Sequence, residues 1–173
     1  EAAQVVIEAS PNTTGSSHTE SGSSVVFISD LVGYKFFRPG SAPDSGMCVY
    51  RKTTDGGATW GARVRVDTQT DCISISVWYD QWTPGDTGTY IHISTIDTTD
   101  DDLFYNRLDT SNDSLLLVTA TSTSLGTASI LAAGTNENSI TKATDGRIIM
   151  VTDDANLTLL RSCTTNCGVG SNW

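Results

Sequence analysis

The chain has 173 residues and carries 20 acidic against 10 basic side chains, a formal net charge of −10. Such an acidic surface repels phosphate backbones and sets aside nucleic acid and anionic membranes as partners, and no apolar run approaches the roughly 20 residues of a membrane-spanning helix. Only 17% of residues are charged; Ser, Thr, Asp, Asn and Gly take their place, and their short side chains bond the local backbone and favour turns and strands over long helices.

Runs rich in Val, Ile, Thr, Tyr and Phe between turn clusters predict short strands along the whole chain. Glu1-Ala2-Ala3 suits a mature end left by cleavage. The first predicted strand is Gln4–Ala9, followed by a Ser/Thr-rich linker to residue 23. Then come Ser24–Asp30, Gly33–Arg38, Met47–Lys52 and Ala62–Asp67, with a tight turn of Asp and Gly residues between the last two. Cys72–Tyr79, Thr89–Asp97, Leu103–Leu108 and Leu115–Ala120 form the next set. Ala128–Ala133 is small and apolar and is left unassigned. Ser139–Thr144, Arg147–Thr152 and Leu157–Arg161 close the series, the first two joined by an ordinary Asp145-Gly146 hairpin. No segment shows a helical period.

Three sequons, at Asn12, Asn112 and Asn156, are glycosylation candidates that agree with secretion. Four cysteines, Cys48, Cys72, Cys163 and Cys167, fit disulfides in an oxidising compartment, with three connectivities open and free thiols as the alternative. Cys163 and Cys167 are spaced to close a small loop, which leaves Cys48 and Cys72 to pair across neighbouring strands. The spacings do not make zinc knuckles, and no metal site is predicted from them. The acidic run holding Asp97, Asp100, Asp101 and Asp102 offers oxygen ligands for calcium but lacks the spacing and glycine of a known loop.

A repeat lies under the strands. Tyr50 and Tyr105 are 55 residues apart (105 − 50), and Tyr105 and Leu160 are 55 again (160 − 105). A period of about 50 residues holding four short antiparallel strands is the signature of a β-propeller blade. The fold expected is therefore all-β, with propeller-type four-stranded blades, about three in this chain. The N-terminal strand and linker are 1–23, and the blades are 24–67, 68–120 and 121–173, the last lacking its fourth strand.

Thr53-Thr54-Asp55-Gly56-Gly57-Ala58-Thr59-Trp60 resembles the Asp-box, or bacterial neuraminidase repeat, Ser/Thr-x-Asp-x-Gly-x-Thr-Trp. Thr53, Asp55, Gly57, Thr59 and Trp60 occupy its five defining positions. A weaker copy, Asn166–Trp173, keeps the second Gly and the Trp. The resemblance implies a sialidase-like propeller, with the box joining the third and fourth strands of a blade on the rim away from any active site. It also sets a test for activity. Sialidases of this superfamily clamp a substrate carboxylate with three arginines and use a Tyr–Glu pair and an Asp. The nearest match to the first arginine motif is Phe37-Arg38-Pro39, which lacks the Ile and ends a second strand; Arg51, Arg107 and Arg161 fall at third-strand positions. No catalytic residue is assigned. Trp78, Tyr79 and Trp82 form an aromatic cluster suited either to stacking on sugar rings or to packing between blades.

The reading this supports is an extracellular or cell-surface structural or adhesive protein. Its partners are other copies of itself or the rest of a longer propeller, joined by strand exchange into a ring or filament. Propellers have about four to eight blades, so two such chains would close a ring of about six. A fragment of a sialidase-like glycoside hydrolase and a carbohydrate-binding module are the alternatives.

Overall fold

The computed structural model describes residues 4–7, 24–97, 102–116, 123–124, 137–154 and 157–173. The chain is all-β, and its strands form three antiparallel sheets in chain order. The first sheet holds β1 (Val25–Phe27), β2 (Gly33–Phe37), β3 (Val49–Thr53) and β4 (Val64–Arg65), each paired with the next. The second holds β5 (Cys72–Tyr79), β6 (Tyr90–Asp97), β7 (Asp102–Asp109) and β8 (Ser114–Leu115), again as a meander. The third holds β10 (Glu137–Lys142), β11 (Ile148–Asp154) and β12 (Leu157–Cys163), with β12 at its edge.

Two expectations change. The second sheet has a further strand, β9 (Thr123–Ser124), which pairs with β7 at Phe104 and Tyr105. The physical reason is that β8 covers only Leu108 and Asp109 of the eight-residue β7; the chain returns to satisfy more of the same edge, since unpaired backbone groups are costly. Gln4–Ala9 is the second change: Gln4–Ile7 form no strand in the single chain, with Val5 and Val6 exposed, and residues 8–9 lie outside the described part. The unassigned Ala128–Ala133 also lies outside it.

The second sheet lies between the other two and is buried on both faces. Against the first sheet it closes a core of Val26, Tyr34, Phe36, Tyr50 and Val66 with Val77, Ile91, Ile93 and Leu108. Against the third it closes a smaller core of Ile96, Leu103 and Tyr105 with Ile140, Ile148 and Met150. Burial on both faces explains why β6 is inaccessible along nearly its whole length, where a one-sided strand would alternate. Both predicted disulfide pairs are present. Cys48–Cys72 joins the start of β3 to the start of β5 and so ties the first sheet to the second. Cys163–Cys167 closes the turn that follows β12. Two disulfides are compatible with an extracellular or secreted protein. Among the described residues no helix is long and apolar enough to cross a membrane.

Candidate functional site

Three groups of residues merit functional scrutiny: the Thr53–Trp60 turn, the aromatic cluster, and a polar network between the second and third sheets.

The turn joins β3 to β4, because Thr53 is the last residue of one and Val64 opens the other. Its polar side chains are spent on its own backbone. The Thr53 hydroxyl donates to Asp55 Oδ1 at 2.8 Å and accepts the Gly57 N–H at 2.9 Å. Asp55 accepts the Thr59 N–H at 2.9 Å and the Thr59 hydroxyl at 2.6 Å. Those bonds from Thr59, then that from Thr53, hold the Asp55 carboxyl down to about 2. Gly56 and Gly57 have φ of 73° and 93°, the left-handed region that glycine enters without steric cost. Trp60 Nε1 donates to Gly57 O at 3.2 Å, which folds the indole back over the turn. The arrangement is a self-contained latch with no group left for chemistry.

The terminal turn works differently. Trp173 Nε1 donates to Cys167 O at 2.9 Å, and the indole packs on Tyr105 of β7, ring centroids 5.0 Å apart. This turn of the third sheet thus leans on the second. The β7–β8 turn likewise leans on the first: Asp113 accepts the Tyr34 hydroxyl at 2.7 Å and Lys52 Nζ at 2.6 Å.

The aromatic cluster is built into the packing. Tyr79 is buried and so offers no ring face to a sugar, which removes it from the stacking candidates. Trp78 and Trp82 are half-buried and meet edge to face at 5.5 Å. Trp82 packs on the core shared with the first sheet, Trp78 on the core shared with the third. Trp78 Nε1 donates to Thr83 Oγ1 at 3.0 Å, and that hydroxyl donates to Lys142 O at 2.9 Å.

Of the other candidates, Arg38 at the end of β2 pairs with Asp71 at 3.0 Å, Arg51 donates to Gly61 O at 2.6 Å, and Arg107 lies over the Tyr90 ring at 4.2 Å. The three sit in separate surroundings and form no common clamp. Asp97 is buried and accepts the Asp71 N–H at 2.9 Å. Asp100 and Asp101 lie outside the described residues, as do Asn12 and Asn156; Asn112 is exposed on the β7–β8 turn. Among the described residues no three His, Cys, Asp or Glu side chains gather as metal ligands would.

The network between the second and third sheets is not singled out by any motif. At the end of β5 the chain makes a short 3-10 turn, Asp80–Trp82, that carries the Asp80 carboxylate into the protein, where it is fully buried. Oδ2 accepts the Tyr90 N–H at 2.9 Å. Oδ1 accepts from Lys142 Nζ at 2.5 Å and meets His92 Nε2 at 2.9 Å. His92 Nδ1 in turn meets the Tyr105 hydroxyl at 2.7 Å. Lys142 also pairs with Asp86 at 2.7 Å. Burial by itself would raise the Asp80 carboxyl, but the bonds from His92, Lys142 and Tyr90 prevail and hold it at about 2. Burial lowers the His92 imidazole below its ordinary value despite Asp80, so the ring is neutral. An ionised Asp80 can only accept, so Nε2 carries the proton and Nδ1 accepts from Tyr105. Burial pushes the Tyr105 hydroxyl up, which makes it a poor nucleophile. The relay Asp80–His92–Tyr105 is therefore an arrangement for fixing structure and orienting a hydroxyl rather than for attack.

Further polar contacts continue this seam along β10. Asn138 Oδ1 accepts the Ser74 hydroxyl, and Asn138 Nδ2 donates to Ser94 Oγ, both at 2.8 Å. Beside the relay lies a cavity of about 180 Å³ whose wall includes Tyr90, His92, Tyr105, Arg107, Lys142 and Asn166. A shallower pocket of about 290 Å³, with Asp86 in its wall, adjoins it at Gly146. The chemistry this cavity offers is donation to an acceptor-rich guest from the Arg107 guanidinium, the Asn166 amide and the Tyr90 hydroxyl, the Tyr105 proton being taken up by His92.

No family model matches the chain, and no curated protein matches it.

Proposed function

We propose that this chain is an extracellular structural or adhesive protein of the β-propeller type, assembling by strand exchange. In this reading Gln4–Ala9 of one copy pairs with the free edge of β12 in another and completes its third sheet. The observation that carries it is the incomplete third sheet. Among the described residues the first two sheets have a strand after their third, whereas the third ends at β12, with Leu160 exposed. An open strand edge is a template for a further chain.

Two observations support a head-to-tail arrangement of copies. The turns that follow β7 and β12 each lean on the sheet before, while the Thr53–Trp60 turn belongs to the first sheet and leaves Phe27 and Leu31 exposed near it. Residues 24–67 also carry six of the ten basic side chains, Lys35, Arg38, Arg51, Lys52, Arg63 and Arg65, against four acidic ones. The remainder of the chain is strongly acidic, so the first sheet of one copy and the other units of the next attract. A heterologous contact of this kind makes a ring if it closes and a filament if it does not.

Sedimentation and negative-stain microscopy of the whole chain test this. Assemblies larger than a monomer are expected, and Val6→Pro, which removes a backbone donor from the exchanged strand, returns them to monomer. A monomer at every concentration, or assemblies indifferent to Val6→Pro, would sink the reading. Turnover of a fluorogenic sialoside would favour the hydrolase instead.

A further inference from the structure

We infer that the cavity between the second and third sheets binds a small monocarboxylate through Arg107. This is independent of how copies assemble, because every wall residue comes from one chain.

The argument begins with charge. The protein has twice as many acidic as basic side chains, yet the described wall of this cavity contains no Asp or Glu and two cations, Arg107 and Lys142. Lys142 is already spent, since its ammonium is paired with Asp80 and Asp86. Those two carboxylates are also spent, on Lys142 and on backbone or imidazole N–H groups. Arg107 differs. Its guanidinium rests on the Tyr90 ring and makes no ion pair among the described residues, although Asp109, two residues on along β7, lies close enough for the charge to help lower its carboxyl. Stacking on an aromatic face leaves the in-plane N–H fork of an arginine open.

Position follows from register. Arg107 on β7 is directly opposite His92 on β6, so the fork and the relay share one sheet face. The Asp80–His92 pair engages the one Tyr105 hydroxyl proton at His92 Nδ1, so Tyr105 shapes the wall and leaves Arg107 as the donor from this face. Asn166, held at φ 52° in the turn after β12, also lines the cavity. A guest anion would thus meet a planar fork on one wall and neutral polar groups on the others.

Chemistry and size narrow the class. One positive charge without an ion pair calls for at most one negative charge on the guest, since a second would have no cation to pair with. A dianionic phosphate fits worse than a carboxylate, whose planar oxygens match the fork. A volume of about 180 Å³ is below the roughly 300 Å³ at which drug-sized pockets begin. The site takes one small acid, up to about a single sugar acid.

The test is titration of the isotope-labelled whole chain with acetate, D-galacturonate and the neutral methyl galactoside, followed by amide and indole NMR. Saturable shifts at Asn166, Cys167 and the Trp173 indole are expected with both acids and absent with the neutral sugar. Arg107→Gln should weaken acid binding at least about tenfold and Arg107→Lys by less. Arg65→Gln, on the first sheet, should leave it unchanged. Arg107→Lys also covers the event that Arg107→Gln fails to fold. Equal binding of the neutral sugar, tighter binding of inorganic sulfate or phosphate than of either acid, shifts unaffected by both Arg107 variants, or no saturable shift with either acid would overturn the proposal.

Discussion

The two faces of the second sheet are held by different physics. Toward the first sheet the contact is an aromatic and aliphatic core, in which Tyr50 meets Tyr34 edge to face and Phe36 at a tilt, and a disulfide crosses it. Toward the third sheet the apolar core is smaller, and a seam of buried polar groups runs beside it from Asn138 to Asp80. The first interface rests mainly on non-directional apolar contact, with a few directional bonds, from Asn106 to Val66 O, from Thr95 to Asp67 and from Tyr34 to Asp113. The second depends more on buried polar atoms, each costly unless its partner is in place. The covalent tie lies at the more apolar face, and the cavity lies beside the more polar one.

That contrast can be broken from the polar side first. Asp80→Ala leaves Lys142 and His92 without their shared acceptor, and a cost of about 3–5 kcal/mol is expected for removing one member of a buried charged cluster. Chemical denaturation would measure it, and hydrogen exchange would locate the loss in β10 and the 80–90 segment rather than in β2 and β3. A loss spread evenly over all three sheets would deny the seam its separate character.

Removing the covalent tie by Cys48→Ala with Cys72→Ala should cost about 3 kcal/mol, chiefly by freeing the unfolded chain. Here the exchange protection of β2 and β3 should fall while that of β10 is retained. The two variants together are expected to add, since they act on opposite faces.

The smallest effect is one of pH. Asp80 is held at about 2 in the folded protein, below its ordinary value, so its contribution is fully present above about pH 4 and is lost as pH falls through about 2. Wild type should therefore lose about 2 kcal/mol more over that window than Asp80→Asn. Parallel acid-unfolding curves for the two proteins would show that Asp80 is not the group responsible.

Much of the architecture is legible from residue order. The presence and order of the strands from β1 to β8 and β10 to β12, the turn at Thr53–Trp60 and both cysteine pairs follow from runs of β-forming residues, turn residues and spacing, while most strand ends shift by a residue or two. The network at Asp80 is not legible, and β6 shows why. In Tyr90–Asp97, His92 stands between Ile91 and Ile93, and all three are buried because the sheet is covered on both faces. Alternation then carries no information about which face a residue takes. The partners compound the difficulty, since Asp80, His92 and Lys142 belong to three separate segments. Similarly, the aromatic run at Trp78, Tyr79 and Trp82 announces a cluster but not that its two indoles serve two different cores.

Local chemistry was therefore decisive where the interaction is short in sequence. Thr53, Asp55, Gly57, Thr59 and Trp60 bond almost wholly among themselves, so eight residues suffice to specify the latch. The Cys163–Cys167 loop is of the same kind. Tertiary structure alone decided what the second sheet does with its inner faces: which polar groups meet across β10, that Tyr79 is buried, that β9 returns to β7, and that Arg107 faces a cavity whose described wall holds no carboxylate. Those outcomes depend on how three sheets stack, and a stack is set by the sum of many weak contacts between distant segments rather than by any run of neighbours.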